Sequence, residues 1–171
     1  MTTNLVQQVR KPTDLEQLRE ITTKVIGEKC WRANLSYGDE LSLHIGARLP
    51  YSQKSMTGKE KGSWILGTRG TAWKIDNLSE TLVTSEDEPE TIRQKISAIE
   101  DNIITALETS YPELSLVVTF ANGYKLRLFP SADEDFDLPH WELFTPYRTV
   151  LKVGPGAMWC NTNLLKTHKV D

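Results

Sequence analysis

Leu114-Ser-Leu-Val-Val-Thr-Phe-Ala-Asn-Gly-Tyr-Lys-Leu-Arg-Leu-Phe-Pro130 decides the fold of this 171-residue chain. Apolar and polar positions alternate through most of the stretch, the period of a half-buried strand, and Asn122-Gly123 is the strongest short hairpin signal. The register follows from asking which loop keeps one face apolar. A two-residue loop opposes Thr119 to Leu126 and Val118 to Arg127, mixing charge into both faces. A three-residue loop, Ala121-Asn122-Gly123 with Gly123 left-handed at a bulge, sets Phe120 against Tyr124, Val118 against Leu126 and Leu116 against Leu128. Thr119 then meets Lys125, and Val117 meets Arg127, on a largely solvated face. Only this register sorts the residues, because a one-residue slip exchanges the faces. Strand signals continue to Trp159 and read as one antiparallel meander. They run through His140–Phe144 and Thr149–Val153 to a Gly154-Pro155-Gly156 turn before Met158-Trp159.

Outward from this core, strands are expected near 31–37 and 40–49, with Leu41, Leu43 and Ile45 on one face and Ser42 and His44 on the other. Residues 50–62 are polar and glycine-bearing and read as a mobile loop, and 63–76 read as another strand pair. Thr13-Asp14-Leu15-Glu16 matches a capping box, and Leu15, Leu18, Thr22, Val25 and Ile26 follow at helical spacing, giving a short N-terminal helix over 14–28. Ser85-Glu86-Asp87-Glu88-Pro89-Glu90 places negative charge and proline where a helix starts. Ile92, Ile96, Ile99, Ile103 and Leu107 then form one apolar stripe, which predicts a long amphipathic helix over 89–109. The fold expected is α+β: a curved, mostly antiparallel sheet of six to nine strands, partly barrelled, with that helix packed on it. Residues 1–171 read as one domain, with 1–12 a flexible arm and 161–171 a frayed tail.

Composition narrows the function classes. The hydrophobic (39%) and charged (25%) fractions are those of an ordinary globular domain. Net charge is −3, split into 12 basic against 9 acidic residues in 1–84 and 8 against 14 in 85–171. That balance argues against nucleic-acid binding, which needs a concentrated basic face. No apolar run reaches the roughly 18 residues of a membrane span. The first residues lack the apolar core of a signal peptide, so a cytoplasmic location is expected. Cys30 and Cys160 are far apart, form no Cys-x-x-Cys pair, and read as reduced, buried thiols.

One resemblance is visible. Leu116, Val118, Phe120, Asn122, Gly123, Leu126, Leu128 and Pro130, then Trp141-Glu142-Leu143, Gly154-Pro155-Gly156 and Trp159, resemble a bacterial domain family of unknown function. That family has an alternating Asn/Asp-Gly hairpin, an acidic loop, a Trp-Glu-Leu strand and a Gly-Pro-Gly turn near a tryptophan. Gly38–Gly46 and Gly62–Leu66 are similar more loosely, so the match spans about 31–160. The resemblance implies a fold and no activity. Small proteins of this appearance include immunity proteins that neutralise toxins.

The motifs offer little chemistry. Asp133, Asp135 and Asp137 follow the one-three-five spacing of a calcium loop, but its sixth position is Leu138 where glycine is needed and its twelfth is Phe144 where a glutamate is needed. His44, His140 and His168 make no zinc pattern, so no metal and no cofactor is expected. Cys160–His140 and Cys30–His44 are the two conceivable nucleophile–base pairs. Gly58-Lys59 and Gly67-Thr-Arg-Gly70 lack the helix start that cradles phosphate. Core packing accounts for most of the five tryptophans. The expectation is therefore a non-enzymatic protein-binding module, immunity-like, with Asp133, Glu134, Asp135 and Asp137 contacting a basic protein partner. The alternatives are a small-molecule binder or hydrolase with a tryptophan-lined cleft beside His44 or His140, and a structural homodimer joined at a sheet edge.

Overall fold

The computed structural model describes residues 4–36, 38–130 and 138–164. Among them are twelve strands: β1 (Leu5–Gln8), β2 (Lys29–Leu35), β3 (Leu41–Pro50), β4 (Glu60–Gly67), β5 (Ala72–Asp76), β6 (Thr81–Thr84), β7 (Asn102–Thr109), β8 (Leu116–Phe120), β9 (Lys125–Phe129), β10 (Trp141–Phe144), β11 (Thr149–Val153) and β12 (Met158–Asn163). They form one sheet ordered β1-β12-β11-β10-β4-β3-β2-β7-β8-β9-β5-β6. Every recorded pairing is antiparallel.

The β8–β9 hairpin has the register that a single apolar face demands. Leu116 opposes Leu128, Val118 opposes Leu126, and Thr119 opposes Lys125. The Phe120 amide donates to the Tyr124 carbonyl across the three-residue loop, where Gly123 sits at φ +88°. The meander expected from Leu114 to Trp159 is interrupted, however. β9 pairs with β5, while β10 leaves it to pair with β4. Likewise β4 and β5 are not partners of one another, although a single turn joins them. The sheet has twelve strands because short segments at 5–8 and 81–84 join its edges, and β1 recruits part of the expected polar arm onto β12.

The long helix is the main correction. Pro89–Lys95 forms α2 and continues as a 3-10 turn over Ile96–Ile99, eleven residues in all, and the chain then leaves helical geometry. Asp101 adopts φ +60°, and the Asn102 amide takes up the freed carbonyls of Ala98 and Glu100. The remaining apolar stripe belongs to β7. There a bulge, with Ile104 opposite Phe120 and Ala106 opposite Thr119, leaves Thr105 unpaired. An extra residue lets Ile104 and Leu107, three apart, both turn inward, whereas Ile103 is 44% exposed. Bulged-strand spacing thus mimics helical spacing. At the N-terminus, Pro12–Leu15, α1 (Glu16–Thr22) and Thr23–Val25 make a fourteen-residue helical run. Its cap is the Asp14 carboxylate, which accepts from the amides of Arg10 and Lys11, rather than the Thr13 hydroxyl.

A single apolar core draws on both halves of the sheet, with Trp73, Trp141, Trp159 and Phe120 among the largest fully buried side chains. Backbone pairing between the halves is slight: Lys29 opposes Ile103 and Cys30 opposes Asn102, and Ile104 exchanges hydrogen bonds with Gly27 and Glu28 just before β2. Indole N–H groups supply what the ladder lacks. Trp141 donates to the Leu114 carbonyl at 3.2 Å, Trp73 to that of Asp39 at 2.8 Å, and Trp159 to that of Asp14 at 3.0 Å. Trp141→Phe removes one such donor and strands a buried carbonyl. It should lower the unfolding free energy by about 2–3 kcal/mol in urea titrations. Leu78→Ala, at an 80% exposed position, should stay within about 0.5 kcal/mol of wild type.

Candidate functional site

Two irregularities lie side by side on β2 and β3. Cys30 opposes Ile45 and Arg32 opposes His44, so Trp31 is the extra residue of a bulge. On β3, Ile45 opposes Trp64 and Arg48 opposes Gly62, which sets Gly46 and Ala47 against Ser63 alone. Gly46 has φ +84°, and a Cβ there would meet Ser63 Oγ at 2.5 Å, so glycine is required at this bulge. Gly62 is required for a different reason: its Cβ would stand 2.4 Å from the backbone nitrogen of Ile45. Bulges re-aim side chains. Here they gather Trp31, Arg32, His44 and Arg48 into one corner.

The guanidinium carbon of Arg48 lies 4.3 Å from the indole centroid of Trp31, and that of Arg32 lies 4.8 Å from it. The His44 ring centroid is 5.4 Å from that of Trp31, with the planes tilted by 41°. Strand alternation directs His44 away from the core-facing Leu43 and Ile45, but this stacking leaves it buried. Its Nδ1 accepts the Gly62 amide at 3.0 Å, so the neutral ring carries its proton on Nε2. Trp31 is 6% exposed and its Nε1–H has no acceptor among the described residues. Arg48 has one weak ion pair, 4.0 Å to the half-exposed Glu60 carboxylate. The free polar groups on Trp31, Arg32, His44 and Arg48 are therefore all donors, while the Glu28 carboxylate stands beside Gly46, its Oε2 3.4 Å from where a Cβ there would sit. The exposed backbone of Ala47–Pro50 runs on from it and pairs with Glu60–Gly62 as a projecting arm, on which Lys61 Nζ lies 5.5 Å from the Tyr51 ring.

The groups suited to covalent chemistry are disarmed. Burial, with Glu100 adding to it, pushes the Cys30 thiol up to about 12, so no thiolate forms near neutral pH. Burial and then Arg32 push His44 down to about 4, and its one lone-pair nitrogen is already engaged. Cys30 and His44 therefore do not make a nucleophile and base. Cys160 is half-buried on β12, and His140 precedes β10 with its ring against Gly154, where a Cβ would strike it. A second charged cluster joins Arg69 to Glu40 at 3.5 Å and to Glu142 at 3.6 Å; burial raises the Glu142 carboxyl, against the opposing pull of Arg69. That ion triad links the turn after β4 to β10.

Asp133, Glu134, Asp135 and Asp137 lie outside the described residues. All five tryptophans are buried, and the one beside His44 lies under two arginines rather than in a deep cleft. Sequence reasoning passed over Trp31, Arg32 and Arg48. The available signals were a glycine inside an alternating strand and a Trp-Arg step that breaks alternation. Among the described residues no three of His, Cys, Asp and Glu gather as a metal site, and no helix is long and apolar enough to cross a membrane. No protein-family model, no curated protein and no solved structure matches the chain, so the resemblance in its C-terminal half gains no support from comparison.

His44 gives the corner a pH signature. Its folded value of about 4 lies below its ordinary 6.5. As pH falls from 6.5 towards 4, the unfolded chain takes up a proton that the folded chain refuses. The contribution is complete above 6.5 and is lost on acidification, by about 3 kcal/mol across the window. His44→Asn keeps an acceptor for the Gly62 amide and cannot titrate. Urea midpoints between pH 7.5 and 4 should show the wild type losing stability faster than this variant; parallel curves would refute the assignment.

Proposed function

We propose that this chain is a non-enzymatic binding protein that captures a protein partner and acts by occupying it, as immunity proteins do. The observation that carries this reading is the corner of Trp31, Arg32 and Arg48 continued by an exposed hairpin arm. Tryptophan, tyrosine and arginine dominate interface energetics because each offers large contact area with a polar handle. The arm adds Leu49, 39% exposed, beside the Lys61–Tyr51 pair. The disarmed states of Cys30 and His44 favour binding over hydrolysis. A cleft-based small-molecule site is the weaker reading, because the indole beside His44 is covered by the arginines. The acidic residues 133–135 and 137 enter the proposal as a separate contact to a basic partner surface.

Immobilised protein exposed to lysate of its own source should retain a partner, and Arg48→Glu should reduce that retention at least tenfold. Retention that survives Arg48→Glu but disappears on neutralising Asp133, Glu134, Asp135 and Asp137 would transfer the contact to the acidic residues. Retention indifferent to both changes would remove the reading.

One observation favours self-association as a second reading. β1 is the last strand of the sheet, its outer edge has no recorded strand partner, and Val6 on it is 64% exposed beside Met158 at 37%. Open apolar edges recruit further strands. Light scattering over a dilution series should then give a dimer mass that Val6→Lys converts to monomer. A strictly monomeric wild type would sink this alternative.

A further inference from the structure

We infer that the bulged corner is an oxyanion subsite, which receives a carboxylate side chain from an acidic segment of the protein partner. The inference rests on the protein-binding reading and specifies what that surface recognises. Four side chains converge there, and none offers an acceptor outward. The Trp31 indole N–H is more than nine-tenths buried and unpartnered. A buried donor without an acceptor costs on the order of 1–3 kcal/mol, and a structure retains such a donor where a ligand completes it. His44 spends its lone pair on the Gly62 amide, which leaves Nε2–H to donate. Arg32 has no carboxylate within ion-pair distance among the described residues, and Arg48 has only the 4.0 Å contact with Glu60.

The stacking explains why arginine suits both flanking positions. A guanidinium carbon over an indole ring satisfies its face through the π-system and keeps its N–H groups free for the fork geometry that a carboxylate matches. Lysine at either position would supply charge without the planar fork. The corner also holds its shape without ligand. Gly46 and Gly62 permit the close strand approach, and the His44–Gly62 hydrogen bond fixes the imidazole, so little ordering opposes binding. A carboxylate seated there meets two positive charges and two neutral donors, against the Glu60 carboxylate at the rim and the Glu28 carboxylate beside Gly46.

The probes are hexaglutamate and inorganic phosphate, followed through the five indole N–H signals of nitrogen-15-labelled protein, with Trp31 assigned from Trp31→Phe. Hexaglutamate should move the Trp31 indole signal selectively and saturably. Arg32→Gln/Arg48→Gln should weaken that response at least tenfold while the other four indole signals hold their positions, which shows the fold intact. A Trp31 signal unmoved by hexaglutamate, or moved equally in the double variant, overturns the inference. A response to phosphate alone overturns the carboxylate assignment. If hexaglutamate fails while capture from lysate still depends on Arg48, the subsite falls and the protein-binding reading stands.

Discussion

A buried indole N–H in need of an acceptor is the constraint on which the rest of this molecule turns. A twelve-stranded sheet whose halves share only two residue pairs of ladder is not held together by backbone pairing alone. Trp141 on β10 reaches the carbonyl of Leu114 just before β8, and Trp73 on β5 reaches that of Asp39 in the turn before β3. Each bond crosses from one half of the sheet to the other, and each buries a large apolar ring at the same time. Trp159 does the same for the N-terminal helical run through Asp14. Apolar burial draws the halves together, and these donors fix how they meet.

Trp31 breaks the pattern in an informative way. Its ring is nearly as buried as the others, but its donor is left open and its face is covered by cations rather than by core aliphatics. Trp73, Trp141 and Trp159 find carbonyls; Trp31 finds no acceptor among the described residues. The contrast separates a residue that holds the fold from one that the fold presents. Depressed basicity at His44 follows from the same crowding, since a second cation beside Arg32 and away from water is unfavourable.

What the sequence made legible was local. The β8–β9 register followed from pairing every side chain across Asn122-Gly123, a problem contained in seventeen residues. Long-range pairing was not legible in the same way. Nothing in β9 announces that β5 lies beside it rather than β10, because both neighbours offer the same alternation. The expected helix over 89–109 failed at Glu100-Asp101-Asn102, a polar break followed by the β-branched Ile103-Ile104-Thr105. The stripe survived that break because the β7 bulge imposes a three-residue step on a two-residue pattern. Bulges also hid the corner, since Trp31 and Arg48 become neighbours only once two strands each carry an unpaired residue. Gly46 inside an alternating run and the Trp31-Arg32 step that breaks alternation were its local traces.

The bulge at Trp31 also bears on how this chain can change over generations. Removing that single codon would place Cys30 opposite Ile45 and Arg32 opposite His44 with nothing between them, which is an ordinary antiparallel ladder. The shorter strand would keep its flanking pairings and lose the indole on which both guanidinium groups rest. One in-frame deletion therefore separates the proposed recognition surface from the scaffold. If the proposed binding role holds, a lineage that no longer needs it can shed the first and keep the second, and the reverse insertion restores the corner in one step.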